Sequence, residues 1–297
     1  MGIVLGDNQY GKAEVRLVHV DRSAAQHVIT DFNVTTQLRG DFAAAHLAGD
    51  NSAVLTTDTQ KNTVYAFARE YGVAEPEDFA IRLGTHFVAS LPQINGARIA
   101  IDQYSWDRIP VAGAPHDHAF VKAGAERRTT VVTLDGDETW VVSGLAELVV
   151  LKTTDSEFWG FPRDTYTTLA ETNERILATS VTARWRYRAE VPYAQIYPAV
   201  RRLLLETFAT THSLALQQTL YAMGRAVLEA FDDIAEIRMS MPNKHHYLVD
   251  LSPFGLDNPN EVFIAGDRPY GLIEAQVTRD DDPVGPGLAW ASVPGFI

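Results

Sequence analysis

The chain has 297 residues, 46% hydrophobic and 21% charged, which is ordinary globular composition with room for a sizeable core in one large domain or two medium ones. A formal net charge of -13, from 38 acidic against 25 basic side chains, works against nucleic-acid phosphates and anionic lipid surfaces, and obliges any anionic ligand to find local cations. With no cysteine, disulfides, thiolate metal sites and cysteine nucleophiles are excluded.

Met1 to Tyr10 is short, mixed and polar, without the apolar region of a signal peptide. No run of about 18 apolar residues indicates a transmembrane helix. From Lys12 to Asp21, Ala13, Val15 and Leu17 alternate on one face; Val28 to Leu38 is similar, with Ile29, Phe32, Val34 and Leu38. Asp21-Arg22-Ser23 turns between them, so the pair reads as a long β-hairpin. Thr57-Asp58-Thr59 is a cluster of N-cap residues leading into a helix over Lys61 to Glu70. A second helix starts at Pro76-Glu77-Asp78 and is stopped by Pro92. Strands over Ala97 to Trp106 and His118 to Ala125 complete a hairpin–helix–helix–hairpin unit.

The order then recurs. Thr129 to Val142 and Ala146 to Lys152 read as a hairpin turning at Ser143-Gly144, followed by an inserted segment to about Ala178 and a strand over Val181 to Arg188. One helix carries Ile196, Val200, Leu203, Leu204 and Phe208; the next carries Leu214, Leu216, Leu220, Met223, Val227 and Phe231. Strands over Ile234 to Met241 and Tyr247 to Leu251 close the unit, and Asp280 to Gly287 reads as an irregular surface segment. Long hairpins with helices on one face imply an α+β fold. Its open sheet edges, with unpaired backbone groups, predict self-association. The domain boundary is expected between residues 127 and 128, giving 1–127 and 128–297, with an insertion around 155–178 and a C-terminal extension.

Four places invite chemistry, and each has a plain structural alternative. Lys12, after Tyr10-Gly11, is either a solvated strand-end lysine or a base. Thr56-Thr57-Asp58 is either a helix cap or an anion site built on unpaired N–H groups and the helix dipole. Phe158-Trp159-Gly160-Phe161, with Arg163 and Glu174-Arg175, is either an aromatic core with a structural ion pair or a guanidinium fork beside a flat ligand. Pro242-Asn243-Lys244-His245-His246-Tyr247 is either a polar turn or a source of acid–base histidine. His116 and His118 share a strand face and could ligate one metal, but no third ligand is evident, and ordinary polar side chains are the expectation there.

In order and spacing, these places together resemble the urate oxidase family over nearly the whole chain. The resemblance runs through Tyr10-Gly11-Lys12, Asp50-Asn51-Ser52, Thr57-Asp58, Lys61-Asn62-Thr63, Phe158 to Phe161, Arg163-Asp164, Tyr166 to Leu169, Arg175-Ile176-Leu177, Gln217, and Asn243-Lys244-His245 with Asp250-Leu251. It implies two tandem tunnelling-fold (T-fold) domains, antiparallel sheets with helices outside, closing into a barrel in a homotetramer with active sites between subunits. It implies cofactor-free oxidation of urate by O2 to 5-hydroxyisourate and hydrogen peroxide. By position, Lys12, Thr57 and His245 match the family's proton relay. Phe158 matches the aromatic that stacks on the purine, and Arg175 and Gln217 the pair that grip it from two edges. Asp58 and Leu216 match pocket residues acting through the main chain, and Asn243 the partner of Thr57 over the ring. His246 stands where the family commonly has an aromatic. Two alternatives stay open: a metal-dependent pterin or purine-ring enzyme using His116 and His118, and a non-catalytic purine-binding protein. No nucleic-acid or membrane partner is expected. Pro294-Gly295-Phe296-Ile297 is not a peroxisomal Ser-Lys-Leu ending, which leaves the cytoplasm as the expected location.

Overall fold

The computed structural model describes residues 2–280 and 287–291. Most of the expected tail at Asp280 to Gly287 lies outside the described residues. The chain divides into two compact units. The first runs to Gly144 and takes in Glu190–Ala194 and the described residues 287–291; the second comprises Leu145–Ala189 and the described chain from Gln195 to Asp280.

In the first unit, β1 (Tyr10–Asp21) and β2 (Val28–Gly40) form the expected hairpin. A short helix α1 (Ala43–Ala48) follows, then α2 (Thr57–Tyr71) and α3 (Pro76–Ser90). The long strands β3 (Ile94–Val111) and β4 (Ala114–Asp135) complete an antiparallel sheet in the order β1-β2-β3-β4. Period-two alternation puts Val15, Leu17, Phe32, Val34, Ala97, Ile99, Ile101, Val132 and Leu134 into the core. Helix α3 covers them with Phe79, Leu83 and Phe87. It packs so closely that a Cβ on Gly84 would stand 2.3 Å from Leu134 Cδ1. At the start of α3, Glu77 is fully buried. It accepts from Arg128 Nη2 at 2.6 Å, Thr130 Oγ1 at 3.0 Å and the Ser143 hydroxyl. A short helix α6 (Gly287–Trp290) packs against β4.

The strand β5 (Glu138–Lys152) passes from the first unit into the second. This corrects the expected hairpin at Ser143-Gly144. The chain reverses instead between Asp135 and Glu138, where Gly136 takes φ +58 and donates to Asn95 O at 3.0 Å. Ser143 sits mid-strand with its hydroxyl committed to Glu77.

The second unit continues with β6 (Leu177–Tyr187), α4 (Tyr193–Thr210), α5 (Leu216–Ala230), β7 (Ile234–Asn243), the short pair β8 (His246–Leu248) and β9 (Phe263–Ala265), and β10 (Gly271–Thr278). Its strand order is β5-β6-β7-β10, with β7 antiparallel to both β6 and β10. Val200, Leu204, Phe208, Leu220, Met223 and Val227 from the helices pack with Val181, Trp185, Ile237 and Met239 in the buried core. Leu214, expected on α5, precedes the helix and is exposed. The expected closing strand Tyr247–Leu251 is also corrected: β8 pairs only with β9, and β7 takes β10 as its neighbour. Leaving aside the short α1, α6 and β8–β9 elements, each unit thus follows strand pair, two long helices and strand pair in chain order. Among the described residues, no helix is long and apolar enough to cross a membrane.

Candidate functional site

Six of the singled-out residues meet in the second unit. Phe158, Arg175, Leu216, Gln217, Asn243 and His245 line one cavity of about 220 Å³. Leu169, Gly271 and Ile273 complete the lining. Asn243 ends β7, where it is opposite Thr179 on one side and Gly271 on the other. Lys244 N then donates to Ala178 O at 2.8 Å, and Gly266 N donates to His245 O at 2.8 Å, so Lys244 and His245 are both tied to neighbouring backbone. His246 meets the Lys244 carbonyl through Nδ1 at 3.1 Å; of the two adjacent histidines, only His245 lines the cavity.

The wall carrying Phe158 lies outside the strands and is held by isolated bridges. Phe158 exchanges backbone hydrogen bonds with Thr172 at 2.8 and 3.0 Å, and Ser156 bridges to Ser213. Glu157 N donates to Ser213 O at 2.7 Å, while Ser213 N donates to Asp155 O at 2.9 Å. The Phe158 ring stacks on Phe161, centroids 5.0 Å apart and 16° from parallel. The Arg175 guanidinium lies 5.3 Å from the Phe158 centroid, and its Nε donates to Ser156 Oγ at 3.1 Å.

This cavity is electropositive. Arg175 is half-buried, and among the described residues no carboxylate pairs with it; the neighbouring Glu174 accepts from Thr154 instead. Burial alone pulls its pKa down. Leu216 and Gln217 open α5, whose first turn holds no acidic residue, so the positive end of the helix dipole adds to the guanidinium. His245 is pushed below the usual histidine range by burial first, then by the Arg175 and His246 charges, which keeps its imidazole neutral near pH 7. The arrangement offers a flat anion an aromatic face, a planar cationic fork, an amide edge and a neutral imidazole.

The first unit gathers Lys12, Thr57 and Asp58. The α2 cap is Thr56, whose hydroxyl accepts from Thr59 N at 3.0 Å. Thr57 is the first helical residue, half-buried, and its hydroxyl is not spent on capping. Asp58 accepts from the Lys61 ammonium and from Asn62 Nδ2 at 2.9 Å. Its pKa is lowered chiefly by Lys61, with a smaller contribution from Lys12, whose charge therefore acts at the start of α2. Lys12 N donates to Thr36 Oγ1 at 3.3 Å, and Thr36 Oγ1 donates to the buried Gln60 Oε1 at 2.7 Å, which links β1 to α2. Gly11 makes this approach possible: a Cβ there would stand 1.7 Å from Thr36 O.

His116 and His118 are adjacent, ring centroids 4.7 Å apart, with His27 5.5 Å from His118. Among the described residues, no three His, Asp or Glu side chains are grouped so as to hold a metal ion. Sequence reasoning missed Ser156, Gly271 and Ile273 as parts of the site. The last two lie on β10, whose Val277 is buried, but the alternation is too weak to stand out.

The sequence matches the family model described as uricase over residues 8–133 and 141–274. A uricase from Arthrobacter globiformis is 59% identical over 299 residues, covering 99% of this chain and 96% of the relative. A uricase from Aspergillus flavus is 37% identical over 288 residues, covering 91% and 95%. The crystal structure of Arthrobacter globiformis uricase superposes with a TM-score of 0.94 at 58% identity, covering 98% of this chain and 100% of that one. A Bacillus fastidious uricase at 24% identity, TM-score 0.81, shares the fold over 94% and 95% of the two chains. The chain is a member of the uricase family.

Proposed function

We propose that the chain is a urate oxidase that converts urate and O2 to 5-hydroxyisourate and hydrogen peroxide. The observation that carries this reading is the single cavity uniting Phe158, Arg175, Leu216, Gln217, Asn243 and His245. Urate is a planar oxopurine anion. Phe158 buries one of its faces, Arg175 supplies paired charge-assisted hydrogen bonds, and Gln217 meets an amide-like edge with one donor and one acceptor. The backbone N–H groups of Asp58 and Leu216, each near a helix start, suit the ligand's carbonyl oxygens.

Oxygen reacts slowly with closed-shell molecules, so the substrate must be made electron-rich. On this reading the Thr57 hydroxyl, between Lys12 and His245, takes a second proton from urate. Lys12 stands at the far end of this relay as its base. Two electrons then pass from the ring to O2, water adds to the ring, and the relay delivers a proton to the departing peroxide. Asn243 and Thr57 hold the small molecule above the ring. The reaction as proposed needs neither metal nor organic cofactor.

The finer architecture is part of the same proposal: residues 1–127 and 128–297 as tandem T-fold domains, with sheets closing into a barrel in a homotetramer and cavities completed between protomers, working in the cytoplasm. The repeated chain order and the open strand edges support it. The test is loss of near-ultraviolet urate absorbance with peroxide release in chelated buffer. Urate binding without peroxide would overturn the catalytic reading, activity restored only by zinc would move it to a metal enzyme, and a monomer by light scattering at micromolar concentration would overturn the tetramer.

A further inference from the structure

A second cavity, of about 450 Å³, lies in the first unit, and none of the residues assigned above lines it. Arg98 and Arg39 line it with Asn8, Gln9, Asp135 and Leu288. Along β3, Ala97 and Ile99 point into the core beneath the helices, so Arg98 between them points to the opposite face. There α6 lies over it.

Arg98 is only 2% exposed, yet among the described residues no carboxylate pairs with it. Its Nε reaches Thr133 Oγ1 at 3.4 Å and its Nη2 reaches Leu288 O at 3.3 Å, two long bonds to neutral acceptors. Its Nη1 is buried with no partner among the described residues. Burial, and then the Arg39 charge, pull its pKa down, as expected of a cation kept from both water and a counter-ion. Arg39 is paired with Asp135 through Nη2 at 3.1 Å, but its Nε is also buried, with no partner among the described residues. It lies across Gly96, where a Cβ would come within 3.0 Å of Nη2. Gln9 Nε2, Gln9 Oε1 and Asn8 Oδ1 are likewise buried without partners among the described residues. Asp7 also borders the cavity, but it is exposed and pairs with neither arginine.

Unpaired buried polar atoms are rare because each forfeits its hydration. Here they converge on one cavity, and among the described residues the positive charge left without a counter-ion is that of Arg98. We propose that this cavity binds a small oxoanion of phosphate size, held by Arg98 Nη1, Arg39 Nε and the Gln9 side-chain amide. A tetrahedral oxoanion offers acceptors in several directions and takes the guanidinium fork in charge-assisted bonds. The site is separate from the proposed urate cavity, and its test does not use turnover.

The test is thermal unfolding of the full-length protein titrated with inorganic phosphate in the low-millimolar range, at constant ionic strength set with sodium chloride. Wild type is expected to show a saturable rise of about 3–5 °C through binding to the folded state. Arg98→Gln abolishes the rise. Gln9→Ala, which keeps both arginines and serves if Arg98→Gln does not fold, weakens apparent phosphate affinity about three- to tenfold. Arg175→Ala keeps the full rise. Phosphate acting no more strongly than chloride would overturn the proposal. So would a rise that survives Arg98→Gln, is unchanged in Gln9→Ala, or disappears in Arg175→Ala.

Discussion

Truncating Arg175 separates binding from folding, because its charge has no carboxylate partner among the described residues to abandon. Among the described residues its one hydrogen bond runs from Nε to Ser156 Oγ at 3.1 Å, and burial alone lowers its pKa. Arg175→Ala therefore removes a desolvated cation without stranding a protein carboxylate, and the fold should change by less than about 1 kcal/mol. Urate loses a charge-assisted pair in a partly buried site, a cost of about 2–4 kcal/mol, or roughly 30- to 1000-fold in affinity. Arg175→Lys restores the charge but not the planar fork and should recover only part of this. The assay is urate binding under anaerobic conditions, which isolates affinity from turnover, with a thermal melt beside it. An Arg175→Ala protein with unchanged urate affinity and a much lower melting temperature would refute the reasoning and make Arg175 a structural residue.

Lys12→Met and Thr57→Ala should each lower kcat by roughly tenfold to ten-thousandfold with the melting temperature little changed; wild-type rates in both would remove the proton relay. The acid limb of kcat/KM should fall below the ordinary histidine pKa of about 6.5, because burial and neighbouring cations depress His245, and it should move upward in Arg175→Ala. The same group has a stability consequence with a definite sign. Below the ordinary value the unfolded chain binds a proton that folded His245 resists, so stability falls as pH drops through the depressed value, and His245→Gln should flatten that slope in urea melts. Gly11→Ala places a Cβ 1.7 Å from Thr36 O and should cost about 1–3 kcal/mol or more by forcing β1 from β2, read as a lower urea midpoint. Glu77→Ala removes the buried acceptor of Arg128, Thr130 and Ser143 and should cost about 3–5 kcal/mol, whereas an effect below about 1 kcal/mol would show that the network contributes little.

Much of the scaffold was legible because its signals are local. Alternation in Val15 to Leu17 and Phe32 to Val34, and Pro76-Glu77-Asp78 at a helix start, each act within a few residues and place β1, β2 and α3 close to where they stand. The errors arose where two glycines competed for one turn. Ser143-Gly144 reads as the reversal, but the buried Glu77 holds Ser143 mid-strand and the turn falls at Gly136, inside the expected strand. β10 escaped notice because a long connection holding Pro253, Pro259 and Pro269 parts it from β7, and pairing across such a gap leaves no periodic trace. The cavity was legible only through family resemblance. Phe158, Arg175, Leu216, Asn243 and Ile273 come from five separate stretches, and no spacing rule foretells that they meet.

The cavity wall from Asp155 to Arg175 has a thermal consequence. Regular sheet shares its hydrogen bonds among many neighbours, but this wall is held by the isolated Phe158–Thr172 and Ser156–Ser213 bridges, a stacked ring pair and side-chain bonds such as Arg175 to Ser156 and Gly160 N to Glu171. Such a segment opens at lower free energy than the strands that anchor it. Heating should erase the ligand-binding surface while the sheets still scatter light and absorb as folded protein. Engineering for longevity is therefore better aimed at fastening this wall than at enriching cores that are already tightly filled.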